Sequence, residues 1–421
     1  MKKLIILLLI PAQLIYAQNE ITLERCYQLA RENYPNLHQT ELLTEISRLQ
    51  KENIATSKLP QVMLNAQATY QSEVTHIDFA IPSISIPSIS KNQYKAYAEF
   101  RQSIWDGGIS AASASVEDAV LQSNLNQLEV EAYKLNEQVA QAFFTAMATN
   151  RQEEVLLAHL KVLQEQLKTI KSGIENQMVE PVAKLVIEAE IVNIEQQQMQ
   201  LKSGKNAALG ILSVLTGKKL LSNVELIYTE DDIKPATAFS RPEFGLFSTR
   251  KAQLEKQSLL LVKKRNPKIF GFGQAGYGRP GLNLLRNKFD TYYLVGAGIS
   301  WNAFDWKNSV RQQKMLQFQS QIIDRQEETF KQNLNLLLVL QQEQINQLKN
   351  LLKTDKELEN LRTEIARSSA SKFKNGTLTS AEYIKDMQAK TIAKLNSEVH
   401  KVQLLEAIEK YNLIKGKACL K

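Results

Sequence analysis

Gln61-Val-Met-Leu-Asn-Ala-Gln-Ala-Thr-Tyr70 alternates with a period of two: Val62, Leu64, Ala66, Ala68 and Tyr70 fall on one side, and Gln61, Asn65, Gln67, Thr69 and Gln71 on the other. That is the pattern of a strand with one apolar and one polar face. A second stretch repeats it, with Tyr94, Ala96, Ala98, Phe100 and Ile104 set against Lys95, Tyr97, Glu99, Arg101 and Ser103. The charged face is the wrong one for a soluble core and the right one for the inside of a membrane barrel, where strands run apolar-out and polar-in.

Both strands recur. At an offset of 207, Pro35, Pro60 and Gln67-Ala68-x-Tyr70 are met again as Pro242, Pro267 and Gln274-Ala275-x-Tyr277, and at an offset of 199, Trp105-Asp106, Asn176 and Gly217-Lys218 return as Phe304-Asp305, Asn375 and Gly416-Lys417. The chain is therefore one unit written twice. Ile269, Gly271, Gly273, Ala275 and Tyr277, then Tyr293, Val295, Ala297, Ile299 and Trp301, repeat the apolar faces. A polar inner face is expected in all four strands. Tyr70, Tyr94, Phe100, Tyr277, Tyr293 and Trp301 are expected to face lipid as aromatic girdles at the strand ends. The eight-residue difference between offsets falls where Ile81-Pro-Ser-Ile-Ser85 is repeated as Ile86-Pro-Ser-Ile-Ser90, a proline-rich stretch suited to an exposed loop.

After Asp106-Gly107-Gly108 the period changes. Leu121, Leu125, Leu128, Ala132, Leu135, Val139, Ala142 and Ala146 begin a series that continues to Ile174 in alternating steps of four and three, a heptad seam broken only at Thr149 and Glu153. A helix from 107 to 173 would be about 100 Å long, more than a globular domain needs. The return arm, about 181–216, and a further helix, about 242–265, climb back in two pieces. Residues Leu23 to Ser57 read as one helix stopped by Pro60.

The resulting division has a signal peptide at 1–17, a first repeat at 18–218 with strands at about 61–73 and 92–105 and a hairpin at about 107–216, and a linker at 219–241. The second repeat spans 242–416, with strands at about 268–279 and 290–303 and a hairpin at about 306–415, followed by a tail at 417–421. The leader is read from Lys2-Lys3, the apolar run Leu4–Ile10 and Ala17 before Gln18; the run is shorter than the roughly 20 residues that span a bilayer. No later segment resembles a transmembrane helix, so any crossing uses strands.

The 421 residues carry a net charge of +8 without a concentrated basic run, which gives no sign of nucleic-acid binding. Sixteen glycines and ten prolines are few for this length and favour long helices; the fold class is mostly α with a membrane β-barrel. Cys26 and Cys419 make no disulfide framework, and His38, His76, His159 and His400 make no metal spacing or catalytic triad. Gly271-Phe-Gly273-Gln-Ala-Gly276 matches a dinucleotide-binding pattern in letters but sits inside an alternating strand. No catalytic, cofactor-binding or metal-binding residue is expected, and the chain does not read as an enzyme.

A membrane sheet must close, and four strands cannot. Two chains would give eight strands and a filled interior; three give twelve and an aqueous bore, which the polar inner face favours. At this point the residues resemble a known family. Leu23-Glu24-Arg25-Cys26-Tyr27-Gln28-Leu29-Ala30-Arg31-Glu32-Asn33-Tyr34-Pro35 is similar to the opening of the TolC-like outer membrane efflux proteins, and Arg241-Pro242-Glu243 to its counterpart in their second repeat. The resemblance implies a homotrimer in the outer membrane lipid of a Gram-negative cell. Its twelve-stranded barrel would continue into a twelve-helix periplasmic tunnel, with 219–241 as an equatorial linker. It also implies docking with a periplasmic adaptor and an inner-membrane pump of the RND, ABC or MFS class, in tripartite efflux or type I secretion.

The helical turns would meet those partners. Asn375-Gly376-Thr377-Leu378-Thr379-Ser380-Ala381-Glu382-Tyr383 is similar to the family's tip pattern, which implies that Glu382 lines the periplasmic entrance. Lys385 stands where the family carries a second acidic residue, with Asp386 beside it. Gln177, Met178, Val179 and Pro181 in the first copy, and Gly376, Thr377 and Leu378 in the second, are the expected docking tips. Gly376 is expected to take a left-handed turn. The rival reading is a secreted or periplasmic coiled-coil structural or adaptor protein without a pore, which would need no alternating strand pairs.

Overall fold

The computed structural model describes residues 20–74, 89–177, 179–228, 239–284 and 286–417. The leader 1–17, most of the Ile-Pro-Ser repeat, Met178, residues 229–238 of the linker and Cys419 lie outside them. The chain forms two compact units: one comprises residues 1–37, 129–242 and 330–421, and the other 38–128 and 243–329.

In the first unit, β1 (Glu20–Thr22) leads into α1 (Leu23–Asn33), which starts where the Thr22 hydroxyl accepts from Arg25 N–H at 3.2 Å. The expected single helix from Leu23 to Ser57 is corrected here. Tyr34, held extended before Pro35, ends α1; a 3₁₀ turn covers Pro35–His38, and α2 (Gln39–Thr56) starts afresh in the second unit. The cause is local: a proline ring disfavours the helical conformation in the residue before it.

Strands β2 (Gln61–Tyr70), β3 (Asn92–Trp105), β5 (Lys268–Arg279) and β6 (Asp290–Ser300) form the sheet of the second unit, with α5 (Pro242–Lys263) preceding β5. β2 stops three residues before the expected 73 and β6 three before the expected 303. β4 (Glu225–Ile227) lies inside the stretch read as a bare linker. It pairs in parallel with β1, Ile21 facing Leu226, in a ladder too short to carry a period.

The long helices are α3 (Ile109–Glu175) and α6 (Asn308–Lys374), each of 67 residues; the return arms are α4 (Pro181–Thr216) and α7 (Ser380–Lys415), each of 36. Every boundary of the second hairpin's two helices is the first hairpin's plus 199. Each long helix is opened by the same device. Asp106 accepts from the N–H groups of Gly108 and Ser110 at 2.9 and 2.7 Å, and Asp305 accepts from Ser309 N–H at 2.9 Å. Burial alone would push the Asp106 carboxyl up, but the hydrogen bond from the Ser110 hydroxyl, with those from the Ser110 and Gly108 N–H groups, outweighs it and holds it below its ordinary value. Left-handed backbone follows each aspartate, at Gly107 and Gly108 in one copy and Trp306 and Lys307 in the other.

Among the described residues, two large cores and a smaller cluster of Ile345, Leu348 and Ala407 hold the first unit. In one, Leu23, Cys26, Tyr27 and Ala30 of α1 pack on Val139, Phe143, Phe144, Leu212 and Leu413. Burial pushes the Cys26 thiol up to about 12 against the pull of Lys218, so it acts as a small apolar group. In the other, Leu156, Leu163 and Ile170, seven apart on α3, meet Ala183, Ile187 and Ile194 of α4 and Tyr383, Ile384 and Met387 of α7. This is the heptad seam at work.

Candidate functional site

The sheet runs β2-β3-β5-β6, antiparallel throughout, and among the described residues β2 and β6 each have a single neighbour. The 10-, 14-, 12- and 11-residue strands suit a bilayer, which a tilted strand crosses in about 9–11 residues. Register aligns the apolar face in rows: Leu64, Ala98, Ala275 and Tyr293 in one, Ala66, Ala96, Tyr277 and Thr291 in the next. The side chains on that face are bare. Leu64 is 85% exposed, Tyr293 79% and Val295 77%. Each would be costly in water on so broad a patch.

Tyr70, Tyr94, Tyr277 and Tyr293 share this face in the half nearer the interstrand turns, whereas Trp301 lies just past the opposite end of β6 and donates its indole N–H to the Arg265 carbonyl at 2.9 Å. Phe100 sits within β3 instead of at its end, opposite Val62 and over Gly273. The opposite face departs from the uniform polarity expected of it. In the first copy it carries Gln61, Arg101, Glu99 and Lys95, but in the second Phe270, Phe272, Tyr292 and Leu294 lie among glycines. The Phe272 and Phe270 rings occupy the space where a Cβ on Gly296 or Gly298 would stand, 2.5 and 2.7 Å away, and the Arg101 guanidinium stacks 4.4 Å above the Phe270 ring. Gly296 and Gly298, which leave room for these rings, are the sequence signal that could have found this.

The hairpin tips lie in the first unit. Gly376 is left-handed at φ 70°, its N–H donating to the Phe373 carbonyl and that of Thr377 to the Lys372 carbonyl, a Schellman termination. Gln177 takes the equivalent place in the first copy at φ 60°, with its N–H on the Ile174 carbonyl. Pro181 opens α4 and Thr379 caps α7.

Glu382 is spoken for. Its Oε2 accepts from Thr379 N–H at 3.1 Å and from the Thr379 hydroxyl at 2.7 Å, while Thr379 Oγ1 accepts from Glu382 N–H, a reciprocal capping box. The Thr379 hydroxyl and N–H hold the carboxyl below its ordinary value, with Lys385 adding to the effect. The Asp386 carboxylate accepts from Ser369 on the facing arm, and Lys385 is exposed. Phe373 and Tyr383 stack at 4.9 Å and 5°, fastening the turn to the start of α7, and burial pushes the Tyr383 phenol up. Val179, Thr377, Leu378 and Glu382 line an open groove of about 1180 Å³ between the two turns. Its walls are mixed apolar and polar.

No family model matches the chain, and no curated protein matches it in sequence. Solved structures do match it in fold. The open-state MtrE outer membrane channel of Neisseria gonorrhoeae superposes with a TM-score of 0.65 at 13% identity, covering 94% of this chain and 89% of its own. The outer membrane protein VceC of Vibrio cholerae gives 0.62 at 12%, covering 93% and 94%. The Campylobacter jejuni CmeC outer membrane channel gives 0.60 at 14%, covering 93% and 84%. The chain therefore has the fold of these outer membrane channels.

Proposed function

We propose that the chain is one protomer of an outer membrane channel, the exit duct of a tripartite efflux or type I secretion system. The observation that carries this reading is the four-stranded sheet, apolar over one face and, among the described residues, unpaired at the outer edges of β2 and β6. An open edge and a bare apolar face are each costly, and joining edges with other copies in a bilayer removes both. Three copies make a twelve-stranded barrel wide enough for water. The fold it shares with MtrE, VceC and CmeC supports the same reading. So do the apolar side chains that α6 leaves exposed, such as Leu336, Leu337, Val339 and Leu340, which a neighbouring copy would cover.

On this reading the helical hairpins extend into the periplasm, and their tips take the adaptor through Gln177, Val179, Pro181, Gly376, Thr377 and Leu378, while the inner-membrane pump supplies the cargo. Glu382 and Lys385 stand at the entrance, with three copies of each around the ring. Membrane extraction and planar-bilayer recording test the proposal together. A heat-sensitive trimer in the detergent-soluble outer membrane fraction with a defined unitary conductance is expected; a soluble periplasmic monomer overturns it.

A further inference from the structure

Arg279 is the one cation in the paired rows of the sheet's apolar face. It pairs with Tyr94 across the β3–β5 ladder, and its guanidinium lies 5.8 Å from the Tyr94 ring and 5.5 Å from the Phe289 ring. Phe289 in turn stacks on Tyr277 at 5.4 Å and on Tyr94 at 6.2 Å. The arginine thus stands in an aromatic cluster at the turn end of the sheet.

Its hydrogen bonding is incomplete. Nη2 donates to Ser90 Oγ at 3.1 Å and to the Asn92 carbonyl at 3.5 Å, whereas Nε is buried without a partner. Among the described residues no carboxylate lies within ion-pair distance of it. A charge on a lipid-side face is expensive unless it meets a counter-charge, and a guanidinium prefers the planar oxygens of a carboxylate or phosphate.

Other cations converge there. Ser90 N–H donates to Asn287 Oδ1 at 3.1 Å, which brings the segment carrying Lys91 beside the turn carrying Arg286 and Lys288. All three are exposed, and among the described residues their one ion pair is Arg286 with Asp290, at 3.9 Å. The same turn exposes Leu282 and Leu284. Cations, aromatic rings and bare leucines on one outward turn match a ligand that is anionic at its head and apolar below it.

We infer that this turn binds the phosphorylated headgroup of an outer-leaflet lipid, with Arg279 as the phosphate-gripping residue and Arg286 and Lys288 as its electrostatic surround. The inference rests on the channel reading, since it needs the face to lie against a bilayer. Its occupant is a lipid phosphate and not a free anion, because the leucines and the rings of Tyr94 and Phe289 have no role toward inorganic phosphate.

Native mass spectrometry of the full chain in a neutral detergent, with conductance recorded on the same preparations, tests it. Added diphosphorylated glucosamine lipid is expected to remain bound, its monophosphorylated form more weakly, and zwitterionic phosphatidylcholine not at all. Arg279→Gln should abolish retention. Because Arg279 also ties Ser90 and Asn92, R286Q/K288Q is the second variant; it leaves those bonds in place and should weaken retention about thirtyfold, near 1 kcal/mol per surface cation. Retention unchanged in both variants overturns the inference, as does equal retention of phosphatidylcholine or displacement of the retained lipid by inorganic phosphate. Conductance separates the two readings: lipid lost with conductance intact supports the site, whereas an absent conductance in every preparation speaks against the channel alone.

Discussion

Gln177, Trp306 and Lys307 hold left-handed backbone without being glycine, at φ of 60°, 54° and 62°. Their counterparts one copy away, Gly376, Gly107 and Gly108, take the same conformation freely. A side chain there costs about 1–2 kcal/mol, partly offset by the greater unfolded-state entropy of glycine. Gln177→Gly and Lys307→Gly should therefore each stabilise the protein by about 0.5–1 kcal/mol, read as a raised denaturation midpoint in detergent. His159 gives a second expectation at this scale. It is buried, its Nε2 has no hydrogen-bond partner, and the Glu190 carboxylate stands 3.9 Å away. Burial pushes the imidazole down and Lys390 adds to this, while Glu190, beyond hydrogen-bond reach, opposes without prevailing. The folded protein thus prefers the neutral ring: its contribution is complete above the unfolded value near 6.5 and is lost as pH falls below it. His159→Leu, which installs the residue found at Leu358 in the other copy, should flatten the fall in melting temperature between about pH 6.5 and 5. An unchanged slope would place the titration elsewhere.

Among elements, the strands and long helices were legible because their periods, two and seven, run for ten residues or more. What was illegible had no period to show. β1 and β4 are three residues each, and the break of the first helix hangs on the backbone of Tyr34 before a proline, which hydrophobic spacing cannot register. The aromatic inner face of β5 and β6 was hidden by the outer-face match between copies. There Gly296→Val should be severely disruptive, since its Cβ would meet the Phe272 ring at 2.5 Å, whereas Gly210→Ala, in α4 with nothing within 4 Å, should stabilise by up to about 1 kcal/mol; folded yield and thermal melts compare them. The tip of the second hairpin carries a divided expectation. The spacing from Thr379 to Glu382 is a capping signature as well as a match to an entrance residue, and the structure uses the carboxylate as a cap. Glu382→Gln keeps the capping geometry and removes the charge. It should leave the melting temperature nearly unchanged and lower the cation preference of the conductance, while Thr379→Ala should cost about 1 kcal/mol and leave that preference intact.

For the molecule as a whole, one buried carboxylate is shared by segments far apart in the chain. Glu409 is wholly buried and accepts from the Tyr27 and Tyr228 hydroxyls, both at 2.9 Å, and from Lys417 Nζ at 3.3 Å, so α1, the segment after β4 and the residues just past α7 share one anchor. Tyr27→Phe should cost about 1–3 kcal/mol by leaving a buried carboxylate short of a donor, measurable as earlier proteolysis of the N-terminal segment. None of this is visible in a sequence, where Tyr27 and Glu409 stand 382 positions apart.

The arms of 67 and 36 residues, repeated without a residue's difference, carry a further meaning for how such a chain can change. One residue inserted in α3 turns everything beyond it by about 100°, moving Leu156, Leu163 and Ile170 out of their seam. Lengthening one hairpin alone would also leave its tip out of level with the other. Viable length changes should therefore arise as paired events of whole heptads, inherited in both copies at once, while the turns between strands drift in length without penalty.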